Sequence, residues 1–202
     1  MNNLLRLKAK KIVITGGPST GKTSVIEQLE KDGHHCLHEV IRSMTSEEKN
    51  QGEKIEIVSN PIVSVSDPMK FNLKILNARI EQFKTAQKAN DEMFFFDRGI
   101  PDVLAYMDCF QQTYDTIFSS ACENFRYDQI FLMPPWKEIH IVDNERYETY
   151  EESLHIYECL KNSYEQYAYD VTIVPKGSIN ERVAFIFEQI NASQCRKTQI
   201  SF

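Results

Sequence analysis

A glycine-rich stretch near the N-terminus has the residue types that bind phosphate. Residues 16–23 read Gly-Gly-Pro-Ser-Thr-Gly-Lys-Thr and fit the pattern G-x-x-x-x-G-K-[ST]. Glycines let successive backbone N–H groups turn toward an anion, and the lysine can reach the β- and γ-phosphates of a nucleotide. The final threonine hydroxyl can bind Mg²⁺. The stretch therefore predicts binding of ATP, or another nucleoside triphosphate, together with Mg²⁺.

The predicted nucleotide-binding residues extend one position beyond this pattern. Lys22 is expected to act in catalysis as well as in binding, and Thr23 is expected to be a metal ligand. The residues expected to contact the nucleotide are Gly16, Gly17, Pro18, Ser19, Thr20, Gly21, Lys22, Thr23 and Ser24. A chance glycine-rich turn is the alternative, but average residue frequencies produce about one such match in a hundred chains of this length.

A second group of charged residues follows an apolar run. Asp97 and Arg98 come directly after Met93-Phe-Phe-Phe96. Carboxylates that close buried strands of α/β sheets face the ligand crevice. We therefore predict that Asp97 either binds Mg²⁺ or accepts the proton of an attacking hydroxyl, and that Arg98 offsets phosphate charge in the transition state. The alternative is an ordinary surface ion pair at the end of a strand.

The residue after Asp97 helps to distinguish the reaction classes. Motor-type ATPases usually place a water-activating glutamate there, whereas this chain has Arg98, and the guanine-reading segment Asn-Lys-x-Asp of GTPases is absent from the sequence. The pattern favours a kinase that transfers the γ-phosphoryl group to a hydroxyl of a small nucleoside- or metabolite-type molecule. A nucleotide-switched regulatory binding protein with slow or no turnover is the second hypothesis. An ATP hydrolase is the third.

Strands and helices must alternate to bring these residues together. Apolar and β-branched runs predict five short strands, at 11–15, 35–38, 93–96, 128–133 and 171–174. Helical spacing predicts helices after Gly21, near Glu39, over 68–90, from Pro101, over 150–167 and after the capping box at 178–181. The alternation predicts an α/β fold of the P-loop NTPase type, with a five-stranded parallel sheet flanked by helices.

Two other groups of residues are not expected to form functional sites. Tyrosine and leucine residues recur along the predicted helix 150–167 and are expected to pack against the core: Tyr150, Leu154, Tyr157, Leu160, Tyr164 and Tyr167. The segment 34–38 contains three histidines and a cysteine. A metal site there is disfavoured, because adjacent side chains of a strand point to opposite faces.

Composition limits the classes of protein that this chain can represent. Its 202 residues, 42% hydrophobic and 26% charged, predict a single domain over 1–202, with a mobile loop at 46–68. The net charge of −6 argues against a general nucleic-acid binder. Five scattered cysteines predict free thiols in a reducing compartment. Since no apolar run approaches the length of a membrane span, a cytoplasmic protein is expected. A homo-oligomer is compatible with the composition, which does not determine the oligomeric state.

Taken together, these residues resemble the NadR-like AAA-domain family of P-loop proteins. That family includes the nicotinamide riboside kinase module of bifunctional NAD-biosynthesis proteins, and the Asp-Arg pair is also similar to that of thymidylate-kinase-type enzymes. The resemblance spans nearly the whole chain. It rests on the phosphate loop, Glu39-Val-Ile-Arg42, Asp97-Arg98-Gly-Ile-Pro-Asp102, Tyr127-Asp128 and Asp143-Asn-Glu-Arg146.

The resemblance implies an adenylate-kinase-like core with a short lid at 137–150. Arg146 belongs to that lid and would stabilise the transferred charge, while a solvated residue at a helix start is the alternative. Glu39 and Arg42 would meet the acceptor, although their three-residue spacing also fits an intrahelical ion pair. Either Glu39 or Asp97 would then deprotonate the acceptor hydroxyl.

Overall fold

Five parallel strands form the centre of the structure. The computed structural model describes residues 9–41, 67–89, 93–140 and 148–199. The strands are β1 (Lys10–Gly16), β2 (His35–Leu37), β3 (Met93–Asp97), β4 (Gln129–Met133) and β5 (Val171–Ile173). They lie in the order β2-β3-β1-β4-β5, and each neighbouring pair is parallel. The predicted parallel α/β sheet is confirmed.

Helices connect the strands. Those in the described ranges are α1 (Lys22–Lys31), α2 (Pro68–Lys88), α3 (Pro101–Cys109), α4 (Thr116–Asn124), α5 (Tyr150–Gln166) and α6 (Ile179–Gln199), with a 3₁₀ turn at Lys137–Ile139. Helix α4 was not predicted, because its nine residues bury only Phe118, Ala121 and Cys122 and so give a weak periodic signal. Within the part of the chain that the structure describes, none of the helices is both long and apolar enough to cross a membrane.

Strand β1 has helices on both sides because its side chains alternate between the two faces of the sheet. Ile12 and Ile14 pack with residues of α1 and α6, whereas Val13 packs with residues of α2, α3, α4 and α5. All three are completely buried. Full burial of an aliphatic side chain contributes about 1.5–3 kcal/mol. These two layers hold the C-terminal end of β1 in place.

The register of the sheet brings the phosphate loop and the Asp97-Arg98 pair together at the C-terminal ends of the strands. Ile14 of β1 lies opposite Asp97 of β3, and Gly16 lies opposite Met133 of β4. The phosphate loop therefore leaves the sheet beside the end of β3. This juxtaposition follows from β1 lying between β3 and β4.

The predicted stripe on α5 was partly wrong. Leu154 is 43% exposed, whereas Ser153 is completely buried and Ile156 is 2% exposed. Ser163 is also buried, and its hydroxyl donates to the Pro101 carbonyl at 2.9 Å. Small hydroxyl side chains let α5 approach α3 closely, so the buried face is rotated away from the face that hydrophobicity alone predicted.

Some predictions fall on residues outside the described ranges. These are the loop over 46–66, Arg42, and 141–147 of the predicted lid, which includes Arg146. The helix expected near Glu39 is seen only at its first residues, Val40 and Ile41.

Candidate active site

The phosphate loop runs from the end of β1 to the start of α1. Gly21 is the N-cap of α1 and has φ 80°, in the left-handed region that glycine adopts without strain. The Thr20 hydroxyl donates to the Gly17 carbonyl at 2.9 Å, and Nζ of Lys22 donates to the same carbonyl at 3.2 Å. These bonds curl the loop over the N-terminus of α1, where the helix dipole favours negative charge.

The Lys22 ammonium is held in a buried position. Burial and, to a smaller extent, the positive charge of Arg98 lower its pKa to about 8, although Asp97, Glu39 and Asp102 act in the opposite direction. A lysine that has lost most of its hydration gains much from a phosphate partner. These four charged side chains therefore lie near enough to the Lys22 ammonium to shift its pKa.

An arginine from the last helix supports the loop from the other side. Arg182 of α6 is 5% exposed, and its Nη1 donates to the Thr20 carbonyl at 3.1 Å. Its guanidinium also lies 5.8 Å from the ring centroid of Trp136. A Cβ atom added at Gly21 would lie only 2.6 Å from Nη1 of Arg182. A Cβ at Gly21 would therefore force the Arg182 guanidinium to shift, in addition to the strain that the left-handed backbone angle imposes on a residue with a side chain.

Gly21→Ala is expected to weaken ATP binding by about tenfold or more, because it adds left-handed backbone strain and displaces the Arg182 guanidinium that supports the loop. Gly33→Ala is the matched control, since Gly33 has φ 89° but open space around an added Cβ. Calorimetric titration should show ATP affinity lost only in Gly21→Ala. Equal affinities in the two variants would contradict the assigned loop geometry.

Beside the loop, one carboxylate lies between two buried guanidiniums. Nε of Arg98 contacts Oε2 of Glu39 at 2.5 Å, and Nη2 of Arg79 donates to Oε1 of Glu39 at 3.2 Å. The side chain of Arg79 is 4% exposed, that of Glu39 11% and that of Arg98 12%. The two arginines fix both oxygens of Glu39 in place.

A second carboxylate completes the network. Asp102 of α3 is fully buried and accepts hydrogen bonds from the Thr15 hydroxyl at 2.5 Å, the Tyr164 hydroxyl at 2.6 Å and the Gly99 N–H at 2.9 Å. It also contacts Nη1 of Arg98 at 3.3 Å. Nη1 of Arg79 donates to the Gly99 carbonyl. The Asp102 carboxylate thus links β1, β3, α3 and α5.

The charge network consists of Arg79, Arg98, Glu39 and Asp102. Its positive and negative charges are equal in number, which allows the four side chains to be buried. Although burial alone would lower the pKa of both arginines, Glu39 and Asp102 raise the pKa of Arg79 above its ordinary value, and Tyr106, Glu39 and Asp102 do the same for Arg98. Two guanidiniums therefore face two carboxylates. Buried charges are tolerated when they are paired and hydrogen-bonded.

Arg98 adopts an unusual backbone conformation for a residue with a side chain. Its φ is 75°, while its N–H donates to the Ile14 carbonyl at 3.1 Å. Non-glycine residues in this region cost on the order of 1–3 kcal/mol and cluster at functional sites. The turn directs the Arg98 side chain toward Glu39 and Asp102.

The structure brings most of the predicted site residues to the C-terminal end of the parallel strands. The loop residues 16–24, Glu39, Asp97 and Arg98 all lie there. Asp97 is 6% exposed. Arg98 does not form the surface ion pair that was the alternative, because its partners and its own side chain are buried. Glu39 pairs with Arg79 and Arg98; Arg42, its other expected partner, is outside the described residues.

Sequence reasoning missed four members of the site: Arg79, Asp102 as a shared acceptor, Tyr164 and Arg182. For two of these residues, the sequence contains a signal that could have identified them. Arg79 lies between the buried Leu76 and Phe83 of α2, and Arg182 lies one turn before the buried Ile186 of α6. Charged residues are almost never fully buried unless they are paired. A charge on the core-facing stripe of a helix therefore indicates an internal partner.

The histidine-rich segment does not converge on a metal. The His34 ring lies against Phe187, the His35 ring stacks on Phe94, and His38 contacts Glu30 at 3.1 Å. Cys36 donates its thiol hydrogen to the Ile26 carbonyl at 3.7 Å. Cys36 and His38 thus contact α1, His34 contacts α6, and His35 lies against β3, so each of the four side chains has a separate partner.

Comparison with known proteins identifies the family. A model of the AAA domain matches residues 11–182, from the first strand to Arg182. The chain belongs to the AAA domain family. The matched segment of this AAA-domain protein contains the phosphate loop and every member of the charge network. A search of curated proteins finds no significant match.

Solved structures with a fold similar to that of this AAA-domain protein include the following three. A deoxyadenosine kinase from M. mycoides with dCMP and dCDP bound is 17% identical, with 90% of this chain and 99% of that chain covered and a TM-score of 0.61. A thymidylate kinase from Candida albicans is 15% identical, with 93% of each chain covered and a TM-score of 0.63. A NadR protein in complex with NR is 19% identical, with 84% of this chain and 46% of that chain covered and a TM-score of 0.63. At these identities the likeness is one of fold.

Proposed function

We propose that this protein transfers the γ-phosphoryl group of ATP, or of another nucleoside triphosphate, to a hydroxyl group of a small nucleoside- or metabolite-type molecule. The observation that carries the proposal is the Glu39 carboxylate, held by Arg79 and Arg98 beside the phosphate loop. A carboxylate oriented in this way can accept a proton from a bound hydroxyl. The similar folds of a deoxyadenosine kinase and a thymidylate kinase support a nucleoside-type acceptor.

The loop would bind the triphosphate. Backbone N–H groups of 16–23 and the start of α1 would receive the phosphate oxygens, and the Lys22 ammonium would pair with the β- and γ-phosphates. Lys22 then replaces its weak contact to the Gly17 carbonyl with a charged partner. Asp97, Glu39 and Asp102 offset part of the cost of burying the lysine charge, and the nucleotide would offset more of it, which favours the bound state.

Magnesium fits the donor set at the loop. Thr23 offers a hydroxyl and Asp97 a carboxylate, both of them the oxygen donors that Mg²⁺ prefers. When bound, the ion would neutralise charge on the β- and γ-phosphates. Asp97 lies opposite Ile14 in the sheet, two residues before the phosphate loop begins at Gly16, in keeping with a place near the phosphates. We therefore assign Asp97 to the metal and Glu39 to the acceptor hydroxyl.

Arg98 would position the Glu39 carboxylate for the acceptor hydroxyl. It fixes Glu39 and lies close enough to Lys22 to lower its pKa, so its positive charge reaches the phosphate site as well. Arg146 of the predicted lid, which lies outside the described residues, would add positive charge when the lid closes. Together these charges would stabilise the transferred phosphoryl group.

Transfer of a labelled γ-phosphoryl group from ATP to a panel of nucleosides and small hydroxyl metabolites tests the proposal. A labelled organic product would support it. ATP binding with no labelled product across the panel would overturn it in favour of a nucleotide-switched binding protein. Acceptor-independent release of inorganic phosphate would overturn it in favour of a hydrolase.

Glu39→Gln is expected to lower the transfer rate by about 10²–10⁴-fold, because the amide cannot accept the hydroxyl proton. ATP affinity should change little, since the proposed phosphate contacts are made by other residues. Glu30→Gln is the matched control, because Glu30 is exposed and contacts the exposed His38 at 3.1 Å. Circular dichroism should confirm that both variants fold. Full activity in Glu39→Gln would contradict the assigned role.

A further inference from the structure

A group of soft metal ligands lies where α3 packs against α5. It consists of Cys109, the last residue of α3, together with His155 and Cys159 of α5. One ligand atom from each residue lies within 4.8 Å of the other two, and the Cys159 Sγ to His155 Nε2 distance is 3.9 Å. In the part of the chain that the structure describes, no other group of histidine, cysteine and carboxylate ligands meets this spacing.

These separations are close to those of a tetrahedral zinc site. Zinc–sulfur bonds of about 2.3 Å and zinc–nitrogen bonds of about 2.0–2.1 Å place ligand atoms roughly 3.5–3.8 Å apart. The observed histidine–cysteine distance exceeds that range only slightly. The other two separations, which are at most 4.8 Å, would have to shorten by up to about 1 Å for all three atoms to bind one ion.

The backbone positions of the three ligands are well defined. His155 and Cys159 are four residues apart on α5, so they share one face of that helix. The helices themselves are fixed by buried contacts of Ala105 with Ile156 and Leu160. Cys109 and Cys159 are partly buried, while His155 is exposed. An ion can thus enter from solvent at the histidine and reach two sheltered thiols.

We propose that Cys109, His155 and Cys159 form a site for a thiophilic divalent cation, Zn²⁺, with a water molecule as the fourth ligand. Two cysteines and one histidine are a donor set that zinc prefers over the oxygen donors used by Mg²⁺. The site is separate from the proposed phosphoryl-transfer site, because Asp102 lies seven residues before Cys109 on α3, about 10 Å along the helix axis.

Binding requires both thiols to lose their protons. Burial and the neighbouring Cys159 thiol raise the pKa of the Cys109 thiol above its ordinary value. Zn²⁺ would replace the two S–H protons, which pass to solvent, and no electron transfer is involved. The ion would then join the C-terminal end of α3 to the middle of α5.

Metal titration of the nucleotide-free protein, kept reduced and freed of metal by a chelator, tests this site. We expect one Co²⁺ per chain to bind with a sulfur-to-cobalt charge-transfer band that Zn²⁺ abolishes by displacement. Zn²⁺ at about a hundred-fold excess over its dissociation constant should raise the unfolding temperature by roughly 5–10 °C. Cys109→Ser and Cys159→Ser should each remove one cobalt–sulfur bond and so weaken both the band and Co²⁺ binding, and His155→Ala should weaken Co²⁺ binding.

Cys36→Ser is the control, because the Cys36 thiol lies on β2, outside the cluster, and the variant should keep the band. His155 is exposed and Cys159 is only partly buried, so their variants are expected to fold. These two variants test the site if Cys109→Ser does not fold. Absence of the band in the native chain, or a band of undiminished intensity and unchanged Co²⁺ affinity in Cys159→Ser, would overturn the proposal. The assay contains no nucleotide, so its outcome is independent of the proposed kinase activity.

Discussion

Lys22→Ala is expected to lower phosphoryl transfer by about 10²–10³-fold or more and to weaken ATP binding without unfolding the protein. The loss follows from removal of a preorganised charge at the site of the developing negative charge. The fold should survive because alanine removes a buried charge whose pKa is already lowered, to about 8. The Gly17 carbonyl keeps its hydrogen bond from Thr20. Calorimetry for binding and labelled product for transfer measure the two effects.

Lys31→Ala is the matched control, because Lys31 lies at the exposed end of the same helix. It should leave binding and transfer unchanged. Wild-type transfer in Lys22→Ala would show that the phosphates bind elsewhere.

The pH dependence of binding distinguishes a direct phosphate contact from an indirect effect of Lys22. Phosphate favours the charged form of the lysine, so binding raises its pKa above about 8. ATP binding by the native protein should therefore take up a proton at pH values just above 8, and affinity should fall as the pH rises further. Calorimetry in buffers of different ionisation enthalpy detects the uptake, which Lys22→Ala should lack.

Asp102→Ala is expected to lower the free energy of unfolding by about 3–5 kcal/mol, the cost of breaking a buried ion pair on one side. The change leaves Arg79 and Arg98 with one carboxylate between them. It also removes the acceptor of the Thr15 and Tyr164 hydroxyls in the core. Urea denaturation measures the loss.

Asp108→Ala serves as the control on the same helix, since Asp108 is exposed and should change the stability by no more than about 0.5 kcal/mol. A loss below about 1 kcal/mol in Asp102→Ala would show that the network contributes little net stability.

Acid pH offers a second measure of the Asp102 contribution. Burial alone would raise the pKa of Asp102, but Arg79, Arg98 and the hydrogen bonds from Thr15 and Tyr164 hold it below its ordinary value of 3.8. The carboxylate then stabilises the protein fully above about pH 4 and loses that effect as the pH falls through the lower folded-state pKa. Asp102→Asn should flatten this part of the stability curve.

The parts of the fold that the sequence predicted correctly are local. Five strands and the longer helices were found because each is a contiguous run whose apolar periodicity is legible by itself. The phosphate loop was found for a related reason, because neighbouring residues supply both the backbone N–H groups and the lysine. Helix α4 was missed because Phe118, Ala121 and Cys122 are too few to establish a period.

The sequence by itself determined the phosphate loop and the alternation of strands and helices. Tertiary structure alone decided that Glu39 pairs with Arg79, 40 residues away, and that Asp102 is shared by Thr15, Arg98 and Tyr164. The chain has 29 acidic residues that could in principle neutralise a buried arginine. Which of them does so depends on the order of the strands and the packing of helices over them, and that choice is made only when distant segments meet.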